Sequence, residues 1–147
     1  MNRATLIGAK LKRVDLTKAL GHRANLNNAD LARALLRKAE FSRATFNRAN
    51  LTVADLSKTD FSRAAFEEAS LRDADLTYSN LSRADFSGAD LRGADLTGAY
   101  TYLTNFTAVD LSSVLGLTQE QVNIACGDAR TKLPSWMQRP DVWSCID

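Results

Sequence analysis

The chain has 147 residues, 45% of them hydrophobic and 24% charged, with a formal net charge of +2, the ordinary composition of one soluble domain rather than of a disordered or low-complexity polymer. Its apolar residues never run beyond a few in a row, which excludes a spanning helix, and the opening MNRATLIGAKLKR lacks the apolar core of a signal peptide. The expected compartment is the cytoplasm, or the periplasm or exterior if a leader was removed before Met1.

From Leu6 to Leu111 every fifth residue is Leu or Phe in 20 of 22 cases, and the residue two earlier is Ala in 17 of those 22. A period of five fits neither the 3.6 of a helix nor the 2 of a strand, so each unit must turn the chain and the units must stack. All six Phe and 14 Leu occupy the central position of units such as ADLAR, AEFSR, ADLSK and ADFSG, which points them into a shared core. The Ala is needed because a tightly wound tube has room for one large side chain per unit. The other three positions, rich in Asp, Asn, Ser, Thr, Arg and Lys, face water.

This pattern resembles the pentapeptide-repeat family, whose consensus is Ala, Asp or Asn, Leu or Phe, then two variable residues, and the match covers residues 4–113. The resemblance implies an all-β, right-handed quadrilateral β-helix with four units per turn. Residues 1–113 then make a solenoid of 22 units, or five and a half turns, and residues 114–147 a C-terminal cap of one short helix and an extended tail. Homodimers formed through terminal elements are implied by resemblance as well.

A 20-residue period is legible without the family. Arg3, Arg23, Arg43, Arg63 and Arg83 end every fourth unit, and Lys18, Lys38 and Lys58 repeat the same spacing on the preceding face. Leu11, Leu31, Leu51, Leu71, Leu91 and Leu111 form one column of centres, and Phe46, Phe66, Phe86 and Phe106 continue another begun by Leu6 and Leu26. Gly21 and Thr101 break the central rule on the face that carries Phe41 and Phe61. Gly21 is expected to leave space for Leu20 or Phe41.

Beyond the repeat, Thr118 followed three residues later by Gln121 is a capping box, predicting a helix from Gln119 to Cys126 stopped by Gly127. The tail KLPSWMQRPDVWSC suits an extended segment packing back on the solenoid, with Trp136 and Trp143 as cap contacts or as dimer anchors. Cys126 and Cys145 are candidates for a disulfide in an oxidising compartment and ordinary thiols in a reducing one. The N-terminus offers no cap of its own.

Chemistry is sparse. His22, the one histidine, has no evident nucleophilic relay around it, and neither a metal-ligand spacing nor a phosphate-binding glycine loop is present, so no catalytic, metal or cofactor residues are expected. Ten of the 17 acidic residues stand immediately before a centre, where their oxygens can meet nearby backbone N–H groups. Residues 1–64 hold 13 Lys and Arg against 5 Asp and Glu, whereas residues 65–114 hold 3 against 8, so the tube is electrically polar along its axis. Glu40, Asp60 and Asp85 stand where they can neutralise part of the Arg column.

The first functional expectation is therefore a non-catalytic scaffold that presents side-chain ladders to a protein partner. An alternative is a binder of an anionic partner through the Arg and Lys columns, with nucleic acid ranked low because only Tyr78, Tyr100 and Tyr102 are available for stacking. A third comes by resemblance, since some pentapeptide-repeat proteins imitate DNA and protect topoisomerases. The basic first half and the unbroken register disfavour it.

Overall fold

Five residues suffice as a building unit because each of their backbone N–H groups finds an acceptor, as residues 54–58 illustrate in the computed structural model, which describes residues 1–145. Ala54 N–H donates to the Leu51 carbonyl at 3.1 Å and closes the turn behind it. Asp55 N–H reaches back one coil to Ala34 O at 2.9 Å, while Leu56 and Lys58 reach forward one coil to Asp75 O and Thr77 O at 2.7 and 2.9 Å. The remaining donor, Ser57 N–H, goes to the Asp55 carboxylate at 3.1 Å. Asp or Asn precedes the centre for this reason: a short side-chain acceptor satisfies a donor that no neighbouring carbonyl reaches.

From Thr5 with Asn25 to Asp95 with Leu115, every residue before a centre except Asp90 forms a parallel bridge with its counterpart twenty residues on. One coil is thus four units, and its four corners are turns. In each corner the last residue of the unit has positive φ, between 52 and 60° for eighteen non-glycine residues, with Gly8, Gly88, Gly93 and Gly98 at the other four. A left-handed third residue, together with the bond from centre carbonyl to Ala N–H, is the type II signature. Because the left-handed region costs an ordinary residue about 1–2 kcal/mol, the corner is the least favourable part of the unit.

Inside, from Ala24 onward, Ala and the centres are buried. Phe46, Phe66 and Phe86 stack with ring centroids 4.9 and 4.7 Å apart and planes within 5° and 3° of parallel, matching the ~4.8 Å rise of adjacent strands. Phe41 and Phe61 stack on the adjoining face and meet the first column edge-on, as Phe41 does with Phe46 at 5.5 Å. Gly21 is explained by Phe41, since a Cβ built there would fall within that ring; Leu20, the other candidate filler, is half exposed. Thr59, Ser79 and Thr104 replace Ala without penalty because their hydroxyls donate to Leu36, Leu76 and Leu81 carbonyls.

The two ends differ. Leu6, Leu11 and Leu16 are only half-buried where Leu26, Leu31 and Leu36 are fully enclosed, because nothing among the described residues lies over the first coil. Over the last coil, Leu115, Cys126 and Lys132 bridge to Asp95, Asn105 and Asp110, so the segment after the repeat winds on as a partial coil. Between Leu115 and Cys126 the helix α1, Gln119–Ile124, replaces one side, opened by the Thr118–Gln121 capping box. It ends earlier than the sequence predicts. Ala125 is already extended because Cys126 must pair with the last coil, and Gly127 serves instead to admit Trp143, whose ring would lie 3.0 Å from a Cβ there. Among the described residues no helix is long and apolar enough to cross a membrane.

Candidate functional site

The corner geometry decides where the cationic columns stand. Lys18, Lys38 and Lys58 and, five residues on, Arg23, Arg43 and Arg63 occupy successive corners, so the two columns are the two edges of one face rather than features of separate faces. Each of these Lys and Arg residues is exposed to solvent. Successive coils repeat the charge every ~4.8 Å along each edge. Among the described residues neither an ion pair nor a side-chain hydrogen bond reaches any Arg of the column from Arg3 to Arg83 or any of the three Lys.

The acids that were expected to neutralise the Arg column are engaged elsewhere. Asp60 accepts from Ser62 N–H at 2.9 Å and Asn80 Nδ2 at 3.2 Å, and Asp85 accepts from Ser87 N–H and Asn105 Nδ2 at 2.9 and 3.0 Å. Glu40 takes His22 Nε2 at 3.0 Å. Turn formation consumes the carboxylates, because the residue before the centre must serve its own unit first.

His22 is less isolated than its sequence context suggests. Its Nδ1 lies 2.7 Å from Ser42 Oγ while Nε2 meets Glu40, which places a hydroxyl, an imidazole and a carboxylate in line. The order arises because positions 22 and 42 are stacked in successive coils. His22 and Glu40 side chains are 37% and 54% exposed, on an open surface rather than in the water-excluding cleft that nucleophilic chemistry uses.

Three tyrosines finish the same face. Tyr78 takes the Lys corner one coil beyond Lys58, with its ring over Gly98, and Tyr100 and Tyr102 flank the buried Thr101 on the next coil. The Tyr100 and Tyr102 rings are 6.3 Å apart and within 13° of parallel, both exposed. Clefts border both edges. One of about 430 Å³ lies between Arg63 and Arg83 on one side and Leu103 and the Cys126–Cys145 bridge on the other. Another, of about 260 Å³, is lined by Lys38, Lys58 and Tyr78.

Comparison with known proteins agrees with this geometry. A family described as pentapeptide repeat region matches residues 21–96 and again 39–114, and pentapeptide repeats (8 copies) match residues 1–37. The chain belongs to the pentapeptide-repeat family. Among solved structures, a pentapeptide-repeat protein of the Arabidopsis thaliana thylakoid lumen is 26% identical with a TM-score of 0.57, over 83% of this chain and 80% of that one. A pentapeptide-repeat protein from Nostoc PCC 7120 is 24% identical with a TM-score of 0.59, over 76% of this chain and 85% of that one. A third, from the cyanobacterium Cyanothece 51142, is 31% identical over 84% of this chain and 67% of that one, with a TM-score of 0.43. No curated protein sequence matches the chain significantly.

In this pentapeptide-repeat protein the turn carboxylates also keep their charge. Burial opposes ionisation of Asp55, but the Ser57 hydroxyl and amide and the Arg37 guanidinium outweigh it and hold the carboxyl below the usual range. Arg92 does the same for Asp90, at 2.6 Å. Asp128 is lowered furthest, to about 2, by Arg130 Nε and by the Ala108 and Arg130 amides. It ties the C-terminal segment to the corner at Ala108, 3.1 Å away.

Trp143 is buried with its Nε1–H donated to Val122 O at 3.1 Å, and Arg139 stacks on its ring at 5.2 Å. Trp136 is 68% exposed. Cys126 and Cys145 are joined in a disulfide across 19 residues. Sequence reasoning found Gln121 only as a capping residue and Thr101 only as a break in the central rule, and missed what both do in the core. Gln121 Nε2 donates to Leu96 O and Ala99 O, and the Thr101 hydroxyl donates to Gln121 O. The signal for both was a polar residue in a position that must be buried.

Proposed function

We propose that this protein is a non-catalytic scaffold, a right-handed prism closed at its C-terminal end, which presents the face between the Lys and Arg corners to a macromolecular partner. The observation that carries this reading is the uncommitted state of those cations while the neighbouring carboxylates are bound in turns. A partner with complementary charge would gain both steering and contact energy there. The primary expectation is a protein partner, and a pull-down from native lysate tests it. Changing Arg23, Arg43, Arg63 and Arg83 to Glu should empty the captured set of its acidic members; an unchanged set defeats the proposal.

A second reading, a binder of an anionic polymer through the same face, is favoured specifically by the linear repetition of charge along two parallel edges. Imitation of acidic duplex DNA is disfavoured by those same edges. A homodimer through terminal elements remains part of the proposal and is checked by light scattering. The Cys126–Cys145 bridge fits an oxidising compartment better than the cytoplasm. A thiol titration of the protein taken from its source decides between them.

A further inference from the structure

We infer that the face between the two basic corners is a binding track for single-stranded nucleic acid, with phosphates along the Arg corner and bases turned across the face toward the tyrosines. This rests on the anionic-polymer reading above and names its ligand class. Five guanidiniums from Arg3 to Arg83 span four coil steps, or about 19 Å at ~4.8 Å each, while a nucleic-acid strand carries a phosphate every ~3.4 Å of axis. The corner therefore offers charge at a density close to that of five or six phosphates. Duplex fits poorly, because a flat face with both edges charged contacts one strand at a time.

The middle of the face suits bases rather than phosphates. Between the edges stand Ser42, Ser62 and Ser82 with Asn80 and Asp60; Ser42 Oγ, the Asn80 amide and Asp60 Oδ1 serve the protein itself, which leaves the Ser62 and Ser82 hydroxyls and Asp60 Oδ2 to pair with base edges. An acidic polypeptide would set its own carboxylates against Asp60 and Glu40 in that strip. A nucleic acid places base donors there instead, the ring N–H of thymine and uracil or the exocyclic amines of the other bases, and carboxylates accept from those. At the C-terminal end Tyr100 and Tyr102, already nearly parallel and exposed, form a stacking surface beside the Arg corner, and Tyr78 does so at the Lys corner. A charged track ending in aromatic faces is the arrangement by which sequence-tolerant single-strand binders hold their ligand. The cleft between Arg63, Arg83 and the disulfide gives the strand an exit beside the last coil.

The test is fluorescence anisotropy with labelled oligo-dT and oligo-U of about twelve nucleotides, within the span of such sites, between about 50 and 200 mM salt. Binding is expected at low salt with a slope of log K against log salt near about −3.5, the value for five phosphates on a single strand. Arg43→Gln with Arg63→Gln should weaken binding about tenfold and flatten the slope by about 1.4. Tyr100→Ala with Tyr102→Ala should weaken it about fivefold or more while leaving the slope unchanged. Arg13→Gln with Arg33→Gln, the same charge loss at another corner, should change affinity less than twofold; an equal loss there overturns the track in favour of net charge alone. Poly-glutamate of matched length is the competing ligand. If it binds as tightly and the tyrosine changes are silent, the nucleic-acid inference falls and the anionic reading survives. If neither polymer binds at low salt, both fall.

Discussion

Between Thr5 and Asp110 the acceptors of one coil meet the backbone donors of the next, whereas over the last coil the amides of Leu115, Cys126 and Lys132 meet only some of them and individual side chains meet others. Leu56 N–H finds Asp75 O in the ladder. At the end, Gln121 Nε2 finds Leu96 O and Ala99 O, and the Thr131 hydroxyl finds Phe106 O at 2.9 Å. The repeat propagates because every coil presents the same backbone pattern to its neighbour. An end has no neighbour, so it needs residues that occur once. Periodicity and termination are thus separate problems with separate sequence signatures, and the second is weaker because it is written in single residues.

The comparison can be broken by substitution. Phe66 sits in the middle of the ring stack, and Phe66→Ala should lower unfolding stability by about 3–5 kcal/mol in urea titrations, with loss of cooperativity across the coils on either side. Gln121→Ala leaves the Ala99 carbonyl without a donor and Leu96 O with the Ala99 amide alone, and should cost about 1–3 kcal/mol. Its signature is local: hydrogen exchange should accelerate in Thr101–Phe106 and not around Phe46. Acceleration spread evenly over the coils would merge the two regions into one cooperative unit.

The corners sharpen the comparison from the other side. Val53 is β-branched at φ 58°, on a half-open corner, so Val53→Gly should raise stability by about 1 kcal/mol and lift the melting temperature. No change would show that the corner holds its conformation without strain. The smallest effect concerns acid. Asp128 titrates at about 2 in the folded chain, below the usual carboxyl near 4, so its contribution is complete above the unfolded value and is lost as pH falls through the folded one. Melting temperatures taken from pH 5 down to about 2 should therefore fall less steeply in Asp128→Asn than in the parent chain.

Much of the fold was legible because the inward positions are constrained by volume and recur without interruption. The Arg column, the Phe column and the capping box could all be read from spacing. What spacing could not show is that Lys38 and Arg43 bound the same face, since that depends on which residue of the unit turns. Nor could it show that Glu40 would go to His22 and Asp60 to Ser62 N–H, leaving the Arg column unpaired. Those choices compete over distances of a few ångströms between residues twenty apart. The tail was legible only in part: Trp136 and Trp143 look alike in sequence, yet one is exposed and the other buried under the constraint of Gly127.

By itself, then, the sequence determined the five-residue unit, its inward Ala and Leu or Phe, the four-sided period and the place where the repeat stops. These are properties of a local pattern repeated until it can only stack. The tertiary structure alone decided that the cations line both edges of one face, that tyrosines close that face, and that Gln121, Thr101 and Trp143 seal the last coil. Each depends on corner direction and on which of several acceptors a side chain reaches first, and both are settled only when the coils lie against one another.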